Sequence, residues 1–347
     1  MTNQTDILLL YEIILAQFRR LDQRPGSMLF SLDMMKRCFL FPGQGAQYPG
    51  MARDLWESSE RVRQMFQEGS DTLAMDMKKL LFDSTAEELK ATDKTQVAMT
   101  LASLCSSAVL KENGITPEAC AGFSLGEFAA LCEAGVLSIG DVLKVVRIRG
   151  DLMEKSAREL VTPDGAPGMA AVLGLPADTV ISLLAPLSAS GIFAANHNGP
   201  SQVVISGTAA GLALAERELK AAGAKRLVRL QVSGPFHSPL MSGARTGFDQ
   251  ALASFAFSDP VLPVYSNVTA RRISSGEEAR RLCGEQLVST VKWVGVQGAL
   301  LADGCDRFYE TGPGTVLTGL LKALRPEARC APAGTLEAIG KAREEAA

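Results

Sequence analysis

The chain has 347 residues, of which 47% are hydrophobic and 21% are charged, a balance typical of a globular protein long enough for two domains. Its formal net charge of -3 at pH 7 disfavours nucleic-acid binding through bulk charge. None of its seven cysteines belongs to a C-x-x-C pair, so we expect no zinc site and a location in the reducing cytoplasm.

Residues 1–33 are predicted to be an N-terminal extension to the folded body. Their apolar stretch, 7–16, is interrupted by Glu12 and followed by Arg19, so it is too short and too mixed to span a membrane. The positive charge follows the apolar run, which is the wrong order for a signal peptide. The pattern favours an amphipathic helix that packs on the body or on a partner, or a start assigned too early ahead of Met34.

The first part of a large domain is predicted over 34–161. A buried strand is expected over 37–41, where an apolar run ends at a Pro-Gly pair. A small-residue, apolar helix over 96–110 should be central, and a second long helix covers 139–160. The composition then breaks at the proline- and glycine-rich segment 162–168, which is a candidate hinge.

Residues 162–232 show the order β-α-β-β-α-β, which is typical of a small ferredoxin-like domain. Residues 233–330 return to the large domain, and 331–347 are left as a C-terminal tail. The predicted strands and helices from 162 onward are, in chain order, 169–173, 177–187, 192–196, 202–206, 209–222, 225–232, 261–266, 307–310 and 315–323. The predicted fold is therefore α/β: a large hydrolase-like lobe with a parallel central sheet, plus an inserted small ferredoxin-like α+β domain.

The most specific local pattern is Gly122-Phe123-Ser124-Leu125-Gly126, a G-x-S-x-G pentapeptide that directly follows a short apolar run. In enzymes this pattern places a serine on a tight strand-to-helix turn, at a helix N-terminus that favours developing negative charge. It predicts Ser124 as the nucleophile of an acyl transfer. Glycines around a serine also form ordinary turns, so the motif alone leaves that alternative open.

A serine hydroxyl is a weak nucleophile and needs a base within hydrogen-bond reach. The sequence contains two histidines. His237 follows Phe236 in the connection that leaves the small domain, where a residue of an interdomain cleft should lie. His197 stands between two asparagines and fits an ordinary surface turn, so His237 is predicted to be the base.

Acyl transfer also needs two donors for the oxyanion of the intermediate. One is the Leu125 N–H, and the second is expected from the glycine-rich loop 41–47, which would otherwise be a simple strand-to-helix connection. This loop lacks G-x-G-x-x-G and Walker spacings, so a nucleotide site is not supported. Arg149, on the helix after the serine, could bind a carboxylate through two N–H groups of its guanidinium fork and so indicates an acidic acyl group, although most arginines lie at the surface.

Between residues 36 and 324 the order of several short motifs is informative. They are Phe41-Pro42-Gly43-Gln44-Gly45-Ala46-Gln47, Thr95-Gln96, Gly122-Phe123-Ser124-Leu125-Gly126-Glu127, Arg147-Ile148-Arg149-Gly150, Gly168-Met169-Ala170-Ala171, Asn198-Gly199-Pro200-Ser201-Gln202-Val203-Val204-Ile205-Ser206-Gly207, Gly234-Pro235-Phe236-His237-Ser238, Tyr265-Ser266-Asn267-Val268-Thr269 and Gly312-Pro313-Gly314-Thr315-Val316-Leu317. In this order they resemble the malonyl-CoA:acyl carrier protein transacylase family. Together they are far more specific than any one of them.

The resemblance implies a ping-pong malonyl transfer that supplies fatty-acid synthesis. Ser124, activated by His237, would attack the thioester of malonyl-CoA, and CoA would leave. The oxyanion would lie between the backbone N–H groups of Gln44 and Leu125. The phosphopantetheine thiol of holo-acyl carrier protein would then take the malonyl group. Arg149 would bind the malonyl carboxylate and disfavour acetyl groups.

Further roles are implied by the resemblance alone. Gln96 and Asn198 match substrate-pocket positions, and Phe236 is the variant associated with malonyl over methylmalonyl selection. The main-chain carbonyl of Lys292 is expected to orient the catalytic histidine. Phe123 replaces the more frequent histidine before the nucleophile, with little expected loss. Malonyl-CoA and acyl carrier protein are the implied partners of a monomer, and no metal, other cofactor, nucleic acid or membrane is implied.

Other function classes stay open on the residues alone. A serine hydrolase or thioesterase shares G-x-S-x-G, but an α/β-hydrolase usually has its histidine near the chain end. A patatin-like lipase would use Asp164, which lies in the candidate hinge soon after Ser124. An inactive relative would dock carrier protein only, yet would be free to lose Ser124, His237 and Arg149. Within the same chemistry, a trans-acting acyltransferase of polyketide synthesis is the alternative, although a freestanding chain favours fatty-acid synthesis.

Overall fold

The computed structural model describes residues 36–345. The predicted N-terminal extension, 1–33, and its amphipathic helix lie outside the described residues. From Lys36 onward the chain forms one compact unit. Within 36–345, no helix is both long enough and apolar enough to cross a membrane.

Residues 36–345 form nine strands in two sheets. In chain order the strands are β1 (Lys36–Phe41), β2 (Ala119–Gly122), β3 (Gly168–Leu173), β4 (Ile192–Gly199), β5 (Gln202–Gly207), β6 (Arg226–Arg229), β7 (Val264–Tyr265), β8 (Cys305–Glu310) and β9 (Arg329–Pro332). One sheet has the order β7-β2-β1-β8-β9 and is parallel throughout. The other has the order β4-β5-β3-β6 and is antiparallel throughout.

The α-helices of the same residues surround these sheets. They are α1 (Arg53–Ser58), α2 (Glu60–Leu73), α3 (Thr92–Glu112), α4 (Gly126–Glu133), α5 (Ile139–Glu159), α6 (Ala177–Leu184), α7 (Ala209–Ala221), α8 (Ser242–Leu252), α9 (Gly276–Gln286), α10 (Trp293–Ala302), α11 (Val316–Leu324) and α12 (Leu336–Glu344). The predicted central helix is confirmed as α3, which is buried along most of its length because its residues are small and apolar. The second long helix is confirmed as α5.

The parallel sheet brings the ends of its strands to the site described below. Phe39 and Phe41 of β1 enter one hydrophobic cluster, while Leu40 enters another, because successive side chains of a strand point to opposite faces. Both faces are therefore covered, as is usual for parallel sheets. The register pairs Phe41 with Gly122, so the carboxyl ends of β1 and β2 lie side by side, where open α/β sheets bind ligands.

The antiparallel sheet has the strand order of a ferredoxin-like domain. Its helices α6 and α7 cover one face, where Val180 and Leu212 share a hydrophobic cluster with Val172 of β3. The predicted fold class, a large α/β lobe with a parallel sheet plus a small α+β domain, is confirmed. The limits assigned to the domains, 34–161 with 233–330 and 162–232, stay predictions.

Three segments differ from the sequence patterns. β4 continues to Gly199, so His197 lies in a strand and not in a surface turn; its N–H donates to the Val291 carbonyl at 2.9 Å, a distant partner that local sequence does not reveal. β6 is shorter than the predicted 225–232. The stretch 331–347, treated as a tail, contains the end of β9 and α12, and β9 extends the parallel sheet beside β8.

Candidate active site

Ser124 occupies a sharp turn between β2, which ends at Gly122, and α4, which begins at Gly126. Its φ of 51° lies in the left-handed region, which is strained for a residue with a side chain and is typical of a nucleophile elbow. The side chain is partly exposed, so a substrate can reach it. The structure thus has the strand-to-helix turn that the G-x-S-x-G pattern predicts.

The glycines of this turn are required by close backbone contacts. A Cβ on Gly122 would lie 1.9 Å from backbone atoms of Gly126, and a Cβ on Gly126 would lie 2.0 Å from the carbonyl oxygen of Phe41. Neither glycine has a positive φ, so the bend itself is made at Ser124. A side chain at either glycine would displace the serine from the end of β1.

The side chain of Asn267 holds the turn from the other side. Its Oδ1 accepts a hydrogen bond from the Ser124 N–H at 2.7 Å, and its Nδ2 donates to the Gly122 carbonyl at 2.7 Å. The residue is fully buried just after β7. The sequence patterns assign it no role, and its only signal is its place in the motif Tyr265-Ser266-Asn267-Val268-Thr269.

The predicted nucleophile and base are brought together. Ser124 Oγ lies 2.7 Å from His237 Nε2, which is hydrogen-bond distance. His237 is 4% exposed and its φ of 58° is also left-handed, so a second strained residue faces the first. The other ring nitrogen, Nδ1, donates to the Gln286 carbonyl at 2.9 Å. This bond leaves Nε2 unprotonated in the neutral ring and able to accept the serine proton.

The expectation that the Lys292 carbonyl orients the histidine is therefore wrong. That carbonyl accepts from the Val296 N–H at 3.0 Å as part of the first turn of α10. Gln286, at the end of α9, supplies the carbonyl instead. No motif marks this residue, and the only sequence signal is an uncharged glutamine closing a helix rich in charged residues.

Two backbone N–H groups near the serine turn have no acceptor among the described residues. Within residues 36–345, the N–H groups of Gln44 and Leu125 donate no hydrogen bond to another protein group. Leu125 directly follows the serine, ahead of α4. The Gln44 loop packs on the same turn, because a Cβ on the neighbouring Gly43 would lie only 2.7 Å from the Phe123 carbonyl oxygen. This arrangement leaves two N–H groups available to an oxyanion.

Arg149 is 1% exposed, yet none of the ion pairs within residues 36–345 includes it. One terminal nitrogen donates to Gln96 Oε1 and the other to Gln286 Oε1, each at 2.9 Å. Its Nε is buried without a partner, and its Cζ lies 5.2 Å from the centre of the Phe128 ring. Burial lowers the pKa of Arg149 to about 10, so the group keeps its positive charge at neutral pH. A buried cation held by neutral amides is a site for an anionic ligand.

Three further predicted residues, Gln96, Phe236 and Asn198, are all buried. Gln96 is fully buried on α3 and acts through its bond to Arg149. Phe236 is 3% exposed and lies next to the histidine in the chain. Asn198, at the end of β4, is 6% exposed and its Oδ1 is buried without a hydrogen-bond partner. An unsatisfied buried acceptor is costly, so this oxygen is available to a ligand donor.

The electrostatic environment keeps His237 neutral. Burial is the main cause that lowers its pKa to about 4, and the nearby positive charge of Arg149 acts in the same direction. The hydrogen bond to the Gln286 carbonyl partly opposes this shift. At pH 7 the imidazole is therefore unprotonated, which is the state that a general base requires.

Comparisons with known proteins agree with this site. The acyl transferase domain family matches residues 38–343. The malonyl CoA-acyl carrier protein transacylase of Bacillus subtilis (strain 168) is 40% identical over 291 residues, which cover 83% of this chain and 90% of that protein. The crystal structure of MCAT from Streptococcus pneumoniae has a TM-score of 0.83 and 34% identity, and the match covers 89% of this chain and 100% of that one.

A further similar structure contains a type II PKS acyl-carrier protein in complex with its malonyl-transacylase. Its TM-score is 0.84 at 34% identity, and the match covers 89% of this chain and 99% of that one. The family match of residues 38–343 includes nearly all of both sheets and every site residue described above. The chain therefore belongs to the acyl transferase family and, within it, to the malonyl CoA-acyl carrier protein transacylases.

Proposed function

We propose that the protein transfers the malonyl group of malonyl-CoA to the phosphopantetheine thiol of holo-acyl carrier protein, through a malonyl-Ser124 intermediate, in fatty-acid synthesis. The observation that carries the proposal is the buried Arg149, which has amide partners but no carboxylate, linked through Gln286 to the Ser124–His237 pair. A cation in that position suits an acyl group that carries its own carboxylate.

In the first half-reaction, Ser124 Oγ attacks the thioester carbon while His237 Nε2 takes the hydroxyl proton. The new O–C bond produces an oxyanion, which the N–H groups of Gln44 and Leu125 bind. The C–S bond then breaks, and His237 returns the proton to the sulfur so that CoA leaves as a thiol. The malonyl group remains as an ester on Ser124.

In the second half-reaction the carrier thiol replaces CoA. His237 Nε2 takes the thiol proton, the sulfur attacks the malonyl ester, and the same two N–H groups bind the oxyanion. The C–O bond breaks and the proton passes to Ser124 Oγ, which restores the free enzyme. Both halves consist of proton transfers and acyl substitution, so neither needs a metal ion or a redox cofactor.

Substrate choice rests on the buried groups around the dyad. Arg149, held by Gln96 and Gln286, binds the malonyl carboxylate, and an acetyl group would leave this charge without a counter-ion. Phe236 restricts the space beside the acyl carbon against a methylmalonyl group, and Asn198 offers its unsatisfied oxygen to a donor of the substrate. Because Arg149 lowers the pKa of His237, neutralising its charge with malonyl makes the histidine a stronger base.

The pH dependence of Ser124 acylation follows from the lowered pKa of His237. With a pKa near 4, the base form is present above pH 5 and is lost only as the pH falls toward 4. We expect the acid limb of kcat/KM for acetyl-CoA, which has no carboxylate to bind Arg149, to lie below pH 5, whereas an ordinary histidine would place it near 6.5. Rapid-quench acylation between pH 4 and 8 measures the limb. With malonyl-CoA, the buried Glu127 near Arg149 adds a second titration near neutral pH, because the pKa of Glu127 is about 7. A limb at pH 6 to 7 with acetyl-CoA would contradict this account.

Docking of the acidic carrier protein is proposed for the edge strand β6. Lys225, Arg226 and Arg229 are exposed, and no ion pair within residues 36–345 includes them. Reversing all three charges should lower kcat/KM for holo-carrier about tenfold at low salt and reduce its salt dependence, because long-range attraction sets the association rate. The malonyl-CoA half-reaction should be unchanged. Lys144→Glu is the control, because Lys144 is an exposed lysine on α5 that forms no ion pair within residues 36–345. The docking proposal would be contradicted if the triple variant and Lys144→Glu lowered kcat/KM for holo-carrier equally.

The hydrolase alternatives are less well supported. His237 Nδ1 is bound by a main-chain carbonyl, whereas a serine hydrolase uses a carboxylate there. The patatin-like alternative needs Asp164 at the serine, but this residue is exposed in the turn between Thr162 and Gly165.

A transfer assay with radiolabelled malonyl-CoA tests the proposed function: label should move to holo-carrier and not to apo-carrier. Rapid release of free malonate without carrier would favour a hydrolase.

The pathway and compartment belong to the same proposal. All seven cysteines are free thiols, which fits a reducing cytoplasm. The similarity to the malonyl-transacylase of a type II PKS carrier keeps polyketide synthesis as the second candidate. Comparing kcat/KM for fatty-acid and polyketide carrier proteins separates the two, and light scattering tests whether the enzyme is a monomer.

A further inference from the structure

Glu127 is a buried acid whose role the proposed mechanism leaves open. It directly follows the G-x-S-x-G motif in the first turn of α4 and is only 2% exposed. An acid in the first turn stabilises a helix, but an exposed one would do so without the cost of burial. Within residues 36–345 it forms no ion pair, and it accepts no hydrogen bond from Ser124 Oγ or the His237 ring.

The carboxylate of Glu127 instead accepts hydrogen bonds from two buried groups. Its Oε2 accepts from the side-chain Nε2 of Gln286 and, at 3.3 Å, from the Asn267 N–H. Burial is the main influence on its pKa and raises it to about 7. The hydrogen bonds from Gln286 and Asn267 and the charge of Arg149 oppose this shift and favour the ionised form.

The hydrogen-bond partners of the Gln286 side chain fix which way its amide is oriented. An amide offers one acceptor oxygen and two N–H donors. The oxygen accepts from Arg149 at 2.9 Å, while the nitrogen donates to the Ser124 carbonyl at 3.0 Å and to Glu127. The reverse orientation would place N–H groups against a guanidinium, which is also only a donor. It would also place the amide oxygen against the Glu127 carboxylate.

Gln286 therefore connects both halves of the catalytic site. Its side-chain oxygen holds Arg149, and its main-chain carbonyl holds His237 Nδ1 at 2.9 Å. Above its pKa of about 7, Glu127 is the charged acceptor in this network, and hydrogen bonds to charged groups are the stronger ones. The position of the guanidinium thus depends on an acid that does not contact it by hydrogen bond.

We propose that Glu127 is a positioning residue that fixes the side-chain amide of Gln286 and thereby sets the malonyl selectivity of Arg149. This inference rests on the proposed function. Glu127 acts through the amide: its carboxylate accepts from the Gln286 nitrogen and so keeps the Gln286 oxygen turned toward Arg149. The guanidinium is then held in place for the malonyl carboxylate.

The test is Glu127→Gln, which keeps the size of the side chain but removes its charge. Without the carboxylate, the amide of Gln286 and the newly introduced amide can each adopt either orientation. We expect the ratio of malonyl to acetyl acylation of Ser124 to fall about tenfold, mainly through a higher KM for malonyl-CoA, because a charged hydrogen bond and its alignment are lost. Intact mass after exposure to each acyl-CoA gives the ratio. Glu310→Gln is the matched control, since Glu310 is fully buried and binds the Leu317 and Thr318 N–H groups. It should change stability and leave the ratio unaltered.

A double-mutant cycle shows whether Glu127 acts through Gln286. Gln286→Met keeps the main-chain carbonyl but removes the amide, so Glu127→Gln should lower the ratio no further in that background. The inference would be overturned if the two substitutions lowered the malonyl-to-acetyl ratio independently, so that their effects multiplied in the double variant. It would also be overturned if either single variant kept the wild-type ratio. If Glu127→Gln does not fold, Gln286→Met alone decides by the same ratio. A wild-type enzyme that formed no malonyl-Ser124 would instead refute the proposed function.

Discussion

Replacing Ser124 with alanine is expected to abolish the malonyl-enzyme and to lower malonyl transfer by about 10⁴-fold or more. The hydroxyl oxygen carries the acyl group between the two half-reactions, and it is the group that lies 2.7 Å from His237 Nε2. Intact-mass measurement after brief exposure to malonyl-CoA would show the adduct in wild type and its absence in Ser124→Ala.

The control for this variant removes the hydroxyl of a different, buried serine. Ser106 is 1% exposed on α3 and donates to the Ala102 carbonyl at 3.1 Å, so Ser106→Ala removes a buried hydroxyl away from the dyad. It should form the adduct as wild type does. Equal labelling of Ser124→Ala and wild type would refute the assignment of the nucleophile.

Arg149→Ala is expected to lower malonyl acylation by about 10²-fold and to leave acetyl acylation unchanged or raised. The guanidinium is the buried cation of the site, and its removal leaves the malonyl carboxylate without a partner. In the wild-type structure, the side-chain oxygens of Gln96 and Gln286 accept hydrogen bonds from the two terminal nitrogens of Arg149, and alanine removes both bonds. Competition between malonyl-CoA and acetyl-CoA for Ser124 measures the change in selectivity directly.

Two companion variants separate charge from geometry. Arg149→Lys keeps a positive charge but loses the planar fork that reaches both amides, so its selectivity should lie between wild type and alanine. Arg147→Ala is the matched control, because Arg147 lies two positions earlier on α5 and forms an ion pair with Asp151 at 3.2 Å. An Arg149→Ala enzyme with wild-type selectivity would contradict the role assigned to the arginine.

Much of this site is predictable because its reactive residues lie in short, recognisable sequence patterns. A serine between glycines after an apolar strand specifies the turn at Ser124, and the choice between two histidines reduces to the residue at a domain connection. The left-handed φ at Ser124 and the close contact between Gly122 and Gly126 show why that pattern is needed. The order of several motifs then supports the family, and with it the arginine and the fold.

What local sequence does not show is the partner on a distant segment. The residue that orients His237 lies 49 positions further along the chain and acts through its main chain, so no side-chain type marks it. The resemblance pointed to Lys292, whose carbonyl is used inside α10. The same applies to β9, a four-residue strand ending in proline, which becomes an edge strand only because β8 offers a free side.

The central claim is that Ser124 carries the malonyl group until a carrier thiol removes it. The most direct test exposes the wild-type enzyme briefly to malonyl-CoA and follows its intact mass, with peptide mapping, before and after holo-acyl carrier protein is added. We predict one malonyl group on the peptide that contains Ser124, stable without carrier and transferred to the carrier when it arrives. An unmodified Ser124, or an adduct lost to water at the same rate with and without carrier, would contradict the account.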